Sequence, residues 1–239
     1  MGNNISAILL AAGESRRMGQ SKLLMPWGRA TVLGQVAATF AAGLLSTDFE
    51  TDKPPKNGDR RTKTDYEIIV VTGGVRAGIE ELAAELAQTY PVRTVYNPEY
   101  ARGGMLSSIQ AGLRALLLPA PPPSLRDTSP ISFEHGRGRI GAALIGLGDQ
   151  PQVREETVRC ICAAFVRTQS PLVVPSFQNR RGHPWLVSRL LWPEILALPT
   201  STTARQFISN HTGQVEYISA DRSILQDLDT PEDYANQRP

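Results

Sequence analysis

The sequence has few cysteines and no excess of charge of either sign. Its two cysteines, Cys160 and Cys162, are separated by one residue on a predicted helix turn and would point away from each other, which argues against a disulfide between them. No further Cys or His lies nearby, so a metal site is not expected there either. Lys and Arg number 25 against 23 Asp and Glu, a net charge of +2. This balance gives no overall field that would favour DNA or a membrane surface.

Long apolar runs are also missing. The uninterrupted apolar stretches are far shorter than the ~20 residues that a membrane-spanning helix needs. The N-terminal residues lack the basic region of a signal peptide. We therefore expect a cytoplasmic protein with neither nucleic acid nor membrane as a partner. At 239 residues, the length predicts one domain over residues 1–239 with a sizeable core.

What is present is a regular alternation of short β-branched runs and helical patterns. Because the predicted strands are apolar on both faces and are separated by helices, they indicate a parallel sheet covered on both sides. The fold class is therefore predicted as α/β, a Rossmann-like, doubly wound and mostly parallel sheet, with ligands at the carboxyl ends of the strands. The predicted strands are 5–10, 66–72, 92–96, 141–147 and 172–175, and the predicted helices are 31–45, 78–89, 105–118 and 155–168.

Two polar segments interrupt this alternation. Residues 46–65 and 119–139 are rich in Pro, Gly and charge, and each joins a helix to the next strand. In a doubly wound sheet such connections lie at the edge opposite the active site. We predict flexible insertions that do not carry the function.

Glycine patterns suggest phosphate binding, but two of them fail on position. Residues 136–141 spell G-x-G-x-x-G, yet this stretch precedes its strand, so a phosphate would meet no helix N-terminus. The first loop is not a P-loop, because Gly19 is followed by Gln20 and Ser21 before Lys22 instead of directly by Lys-Ser.

The first loop nevertheless has a specific composition. The first predicted strand, 5–10, is followed by Ala11, Ala12 and Gly13, whose small size lets a ligand approach the backbone. Arg16, Arg17 and Lys22 follow, and they could neutralise a polyanion such as a triphosphate. From these residues alone, a solvated basic turn after an ordinary strand-exit glycine remains the alternative.

The full spacing L-A-A-G-x-S-x-R-M-G-x-x-K resembles the signature of nucleotidyltransferases with the MobA-like fold, and most closely their molybdenum cofactor cytidylyltransferase branch. Four later blocks resemble that branch too, and all five occur in the family's order across nearly the whole chain. The later blocks are N-P-E-Y-A-R-G-G-M-L-S-S at 97–108, G-D-Q-P at 148–151, G-H-P at 182–184 and D-L-D-T-P-E-D at 227–233.

The resemblance implies a nucleotide-diphospho-sugar transferase type of fold and a transfer reaction. A nucleoside monophosphate, CMP from CTP, would pass to a phosphate-bearing acceptor such as molybdopterin with release of pyrophosphate, and Mg²⁺ would be the cofactor. A recipient molybdoenzyme would be a further partner. The alternatives are the same chemistry with GTP or another NTP and a different acceptor, or a module that binds NTP or cofactor without turnover.

The resemblance also implies roles for individual residues. The catalytic residues would be Arg17, Lys22 and Asp149, and the metal ligands Asp149 and Asp229. Residues on the acceptor side would be Gly182, His183 and Arg205, although the block before Arg205 departs from the branch's pattern. The nucleotide-binding residues would be Leu10, Ala11, Ala12, Gly13, Ser15, Arg17, Lys22, Thr72, Gly73, Gly104, Met105 and Ser107.

Several of these residues also have a purely structural interpretation. Asp149 could be the N-cap of the helix that follows it, and a serine of 107–108 could cap the helix it opens. Thr72 and Gly73 could form an ordinary strand-to-helix turn. A lone histidine such as His183 is more often structural.

Overall fold

The computed structural model describes residues 4–13, 18–45, 66–118, 140–199 and 201–239. Both predicted insertions, 46–65 and 119–139, lie outside the described residues, as do Ser15, Arg16 and Arg17. What the sequence predicts for these residues therefore stays a prediction. None of the helices in the described ranges is long and apolar enough to cross a membrane.

The described residues form a central sheet with helices on both faces. The helices are α1 (Val32–Leu45), α2 (Arg76–Leu86), α3 (Gly104–Leu117), α4 (Glu155–Thr168), α5 (Trp192–Ala197), α6 (Ala204–Asn210) and α7 (Pro231–Gln237). The strands are β1 (Asn4–Ala11), β2 (Pro26–Trp27), β3 (Ala30–Thr31), β4 (Ile68–Thr72), β5 (Val92–Tyr96), β6 (Ile140–Leu147), β7 (Leu172–Phe177), β8 (Arg180–Arg181), β9 (Trp185–Ser188) and β10 (Val215–Ser219).

The strand order of the main sheet is β10-β7-β9-β6-β1-β4-β5, and β8 pairs with β7. The pairs β1–β4, β1–β6, β4–β5 and β7–β10 are parallel, whereas β9 runs antiparallel between β6 and β7. The prediction of an α/β fold with a mostly parallel sheet is therefore confirmed. Strands β2 and β3 form a separate small hairpin.

Strand β1 lies at the centre of the sheet and is buried from both sides. Ile5, Ala7 and Leu9 belong to the apolar cluster that includes Phe40 of α1, whereas Ile8 belongs to the cluster on the opposite face. This alternation follows from the two-residue period of a strand. It explains why the run of 5–10 is apolar apart from the buried Ser6, instead of alternating between apolar and polar residues.

The predicted elements differ from the observed ones at their ends and in number. Helix α2 begins at Arg76 and ends at Leu86, where residues 78–89 were predicted. Strand β4 begins at Ile68 instead of Tyr66. Strands β9 and β10 were not predicted. Each is only four or five residues long, and strand β9 acquires its buried position from pairing with two strands that are distant in sequence.

Candidate active site

The carboxyl ends of six strands share one edge of the sheet. Strands β5, β4, β1 and β6 are parallel neighbours, and β7 has the same direction because β9 is antiparallel to both β6 and β7. Strand β10 is parallel to β7 and ends at the same edge. In open α/β sheets this edge carries the ligand site. The loops that follow these strands therefore define the candidate site.

The loop after β1 is held between its two neighbours by backbone hydrogen bonds. Leu10 O accepts from Gly148 N at 3.0 Å, and Ala12 O accepts from Gly74 N at 3.2 Å. A Cβ on Gly73 would come within 2.5 Å of Ala12 O, so this position requires glycine. The three strand ends thus meet closely, as the small residues of the loop predict, and Gly13 is exposed beside them.

Thr72 does not face open space. It is fully buried, and its hydroxyl donates to Val95 O on the neighbouring strand at 3.4 Å. Its interpretation as part of a strand-to-helix turn is consistent with this contact. A direct role in nucleotide binding stays a prediction for Thr72.

Lys22 connects two carboxylates that are distant in sequence. Its Nζ lies 2.5 Å from Asp149 Oδ2 and 3.1 Å from Asp229 Oδ1. The Lys22 side chain is 14% exposed, so these ion pairs are partly shielded from water. Burial by itself lowers the pKa of Lys22, but attraction to both carboxylates and hydrogen bonds with them outweigh burial and raise the pKa above its usual value. Lys22 is therefore charged at neutral pH.

The position of Asp149 excludes the capping interpretation. The N-cap of α4 is Arg154, which makes no side-chain cap bond, and α4 begins at Glu155. Asp149 instead lies two residues after β6, at the carboxyl edge of the sheet, and its carboxylate forms an ion pair with Lys22.

The C-terminal segment is bound to the loop that carries Asp149. Gln150 Nε2 donates to Asp227 Oδ1 at 2.7 Å, and Gln152 Nε2 donates to Gln226 O. Burial raises the pKa of Asp227, and the negative charges of Asp149 and Asp229 raise it further, against the opposing effects of Gln150 and Lys22. Asp227 thus lies close enough to Asp149 and Asp229 to feel their negative charge.

Asp229 is presented by the start of α7. Thr230 is the N-cap of this helix and exchanges hydrogen bonds with Asp233 in a capping box. Because Thr230 and Asp233 satisfy each other, Asp229 is left to face Lys22. Its carboxylate is 53% exposed, so a ligand can reach it from solvent.

The donor set fits a divalent cation that arrives with phosphates. Mg²⁺ is usually bound by one or two carboxylates together with substrate phosphates and waters. The ammonium of Lys22 lies in contact with both Asp149 and Asp229, which shows that both can reach one cation. Within the described residues no group of three or more His, Cys, Asp or Glu is placed so that it could hold a metal ion by itself.

The segment after β5 contributes both buried and exposed groups. Asn97 Nδ2 donates to Ser107 Oγ at 2.9 Å, and Ser107 Oγ donates to Gly104 O at 3.0 Å. Ser107 is 4% exposed, so its hydroxyl serves hydrogen bonds within the protein. The N-cap of α3 is Gly103, so neither serine of 107–108 is the capping residue. Met105 is 42% exposed, and with Gly104 it lines a large cleft. Nucleotide contacts by these residues stay predictions.

The cleft has a volume of about 880 Å³ and contains all three predicted acceptor-side residues, Gly182, His183 and Arg205. A Cβ on Gly182 would clash with Ile224 O, and His183 N donates to that same oxygen at 3.1 Å. The peptide bond between His183 and Pro184 is cis. Burial lowers the pKa of His183 to about 4, so the imidazole is neutral at pH 7.

The sequence did not single out four residues that line this cleft. Arg102, Arg180, Arg181 and Trp185 all contribute to its walls. Arg102 precedes Gly103 of one sequence block, and Arg180 and Arg181 are neighbours just before Gly182 of another. In the sequence these positions indicate only that the loops are basic. Their convergence depends on the sheet edge that brings the loops together.

Comparison with known proteins finds a family that matches most of the chain. The profile of a family described as MobA-like NTP transferase domain matches residues 7–215. The molybdenum cofactor cytidylyltransferase of Escherichia coli K12 is 28% identical over 232 residues, which cover 96% of this chain and 93% of that protein.

Two solved structures share the fold. Rv0371c from Mycobacterium tuberculosis H37Rv superimposes with a TM-score of 0.66 at 23% identity, over 99% of this chain and 97% of the other. A nucleotidyl transferase from Methanothermobacter thermautotroptrophicus does so with a TM-score of 0.65 at 22% identity, over 99% and 97% of the two chains.

Proposed function

The chain belongs to the MobA-like NTP transferase family and is a nucleotidyltransferase, and we propose that it transfers CMP from CTP to the phosphate of molybdopterin, with Mg²⁺ as cofactor. The observation that carries the proposal is the contact of Lys22 with both Asp149 and Asp229 at the carboxyl edge of the sheet.

Negative charge is the main obstacle to this reaction. An acceptor phosphate must approach the α-phosphorus of a triphosphate, and both partners are anionic. Lys22, which stays protonated, binds oxygens of the triphosphate. Asp149 and Asp229 would hold the divalent cation, which when bound would supply further neutralisation of the phosphate oxygens. Arg17 is a further phosphate ligand that the sequence predicts.

The remaining residues position the reactants. The backbone of Leu10, Ala11, Ala12 and Gly13 offers a close-fitting surface for the nucleotide. No general base is needed, because a phosphate oxygen is already deprotonated at neutral pH. His183 is neutral and lies in the cleft, where it contacts the acceptor without adding charge.

The choice of CTP and molybdopterin rests on two supports. One is the order of the five sequence blocks, and the other is the name of the Escherichia coli relative, which acts on the molybdenum cofactor. The metal has separate support, since Rv0371c has also been solved in complex with manganese. The two acidic ligands suit Mg²⁺ as well as Mn²⁺.

A pyrophosphate-release assay tests the proposal. The pure protein is incubated with Mg²⁺, molybdopterin and one of CTP, GTP, ATP or UTP. We expect release with CTP and little with the other three. Preferential release with GTP would overturn the cytidylyl assignment, and release that does not depend on molybdopterin would overturn the acceptor. No release with any NTP and any phosphorylated acceptor would instead favour a module that binds without turnover.

A further inference from the structure

The cleft beside the Lys22 site carries strong positive charge. Its wall includes Arg102 just before α3, Arg180 and Arg181 of β8, and Arg205 at the start of α6, and none of the described residues that line it is Asp or Glu. The formal charge of its lining is thus about +4. At about 880 Å³ it lies at the upper end of the range for small-molecule sites, much larger than one phosphate requires.

These four arginines have no carboxylate partner among the described residues. Arg76, Arg93, Arg154 and Arg167 each form an ion pair with an acidic side chain. Other arginines, such as Arg114, also lack an ion pair within the described residues, so the distinguishing feature of the four is that they line one cleft. A concave surface with several cations and no counter-ion of its own attracts an anionic ligand, because its fields add within the cleft.

A hairpin between β7 and β8 places Arg180 and Arg181 at the carboxyl edge of the sheet. Gln178 and Asn179 have φ of 48° and 62°, which suits the tight two-residue turn between β7 and β8. Arg180 pairs with Phe177 and Arg181 with Ser176, so both follow the carboxyl end of β7.

The side chain of Arg181 is positioned by neutral groups. Its Nη1 donates to Ser209 Oγ at 3.1 Å, and its guanidinium lies 5.5 Å from the centre of the Tyr217 ring. These contacts orient the guanidinium without cancelling its charge, so hydrogen-bond donors remain for a ligand.

Buried polar atoms of the same cleft also lack partners. Trp185 is 2% exposed, and its Nε1 makes no hydrogen bond within the described part of the chain. The same holds for His183 Nδ1. Unsatisfied buried polar groups are rare in folded proteins and often mark a place where a ligand completes the hydrogen bonding. Both residues line the cleft.

We propose that Arg180 and Arg181 bind a second anionic group of the acceptor, separate from the phosphate that attacks the nucleotide. This inference rests on the proposed function. A phosphate monoester carries a charge of about −1.5 to −2 at neutral pH, which two arginines balance. The cleft contains four arginines, so its acceptor class is an organic phosphate with at least one further negative group. Arg180 and Arg181 are thus specificity-determining residues for the acceptor.

Binding of molybdopterin, followed by its pterin fluorescence, tests this assignment. The double variant Arg180→Gln/Arg181→Gln is compared with Arg114→Gln/Arg167→Gln, which removes the same charge from exposed positions outside the cleft. Because each charge-assisted hydrogen bond contributes about a tenfold change in affinity, we expect the cleft variant to bind roughly 100-fold more weakly. The control should bind within about twofold of the wild type, and CTP binding should not change in either variant.

A second probe separates the two anionic groups. Molybdopterin from which the phosphate has been removed should show the same loss of affinity in the cleft variant, because the group bound by Arg180 and Arg181 is still present. If that loss disappears, the arginines bind the attacking phosphate and the proposal is wrong. Equal binding by the cleft variant and its control would overturn it as well.

The outcomes also distinguish this inference from the proposed function. If the wild type binds both probes as expected but releases no pyrophosphate with any NTP, the anion site stands and the proposed reaction fails. If pyrophosphate is released normally by the cleft variant at low molybdopterin concentration, the reaction stands and the inference fails. A wild type that does not bind molybdopterin even with CTP present overturns both the acceptor and this site.

Discussion

Lys22 Nζ lies 2.5 Å from Asp149 Oδ2, although the two residues follow different strands and are more than a hundred positions apart in the chain. The contact places an ammonium group that is charged at neutral pH at the point where the sheet edge presents its carboxylates. The same ammonium reaches Asp229 at 3.1 Å, so one cation joins the first loop, the loop after β6 and the C-terminal segment.

Replacement of Lys22 should abolish transfer without unfolding the protein. We expect Lys22→Ala to lower kcat/KM by at least about 100-fold, since a cation that stabilises charge in the transition state contributes roughly 3 kcal/mol. The measurement is steady-state pyrophosphate release, with circular dichroism to verify the fold. Lys22→Ala with near-normal turnover would show that the site is misplaced.

Asp149 and Asp229 should both be needed for metal binding. We expect Asp149→Asn and Asp229→Asn each to weaken Mn²⁺ binding by about tenfold or more in the presence of CTP, because each removes one charged ligand. Electron paramagnetic resonance of free Mn²⁺ measures this without reference to turnover. Asp221→Asn is the matched control, since Asp221 pairs with Arg154 away from this site. Metal affinity that is equal in all three variants would contradict the assignment.

The buried ion pair between Arg93 and Glu67 should matter for stability more than an exposed one. Arg93 Nε lies 3.0 Å from Glu67 Oε2, the two side chains are 17% and 6% exposed, and Arg93 Nη2 also donates to Ala115 O. Arg93→Ala would leave the carboxylate buried without this partner, so we expect a loss of about 3 kcal/mol in the free energy of unfolding.

Arg76→Ala provides the comparison for that variant. Arg76 and Glu80 form an exposed pair one helix turn apart, with side chains 54% and 35% exposed. We expect its removal to change the unfolding free energy by less than about 0.5 kcal/mol. Urea denaturation measures the unfolding free energy of both variants. Similar losses of unfolding free energy in the two variants would show that the buried ion pair contributes no more to stability than the exposed one.

Tyr66 should make the protein less stable at high pH. Burial raises the pKa of its phenol to about 12, from 10 in the unfolded chain. Between these values the unfolded state releases the proton and the folded state retains it, so stability falls as the pH rises from about 10 to 12. We expect Tyr66→Phe to reduce this fall.

At neutral pH the same variant should be at least as stable as the wild type. The hydroxyl of Tyr66 is buried and has no hydrogen-bond partner within the described residues, so its removal relieves a desolvation cost. Urea denaturation at pH 7 and pH 11 measures both effects. An unchanged pH dependence in Tyr66→Phe would assign the alkaline loss to other groups.

The sequence predicted those parts of the fold that depend on local patterns. The observed bounds of five strands and two helices lie close to the predicted ones: β1, β4, β5, β6, β7, α1 and α4. Strands that are buried on both faces have a continuous apolar sequence, and helices have a 3.6-residue apolar period, so both can be recognised from neighbouring residues alone. Strand β9 was not predicted, because its four residues are too few to show a strand pattern. They form a strand inside the sheet only through pairing with β6 and β7. The ends of α2 shifted by two and three residues, which is common where no strong cap is present.

The family and the mostly parallel α/β fold could be predicted from residue types in a fixed order along the chain, whereas the roles of the motif residues stay predictions. The contact of Lys22 with both Asp149 and Asp229, and the absence of a cap on α4 by Asp149, became visible only in three dimensions. The same is true of the four scattered arginines that line one cleft. Ion pairs and clefts depend on distances in space, and residues far apart in the sequence come close only because several strands end at the same edge of the sheet.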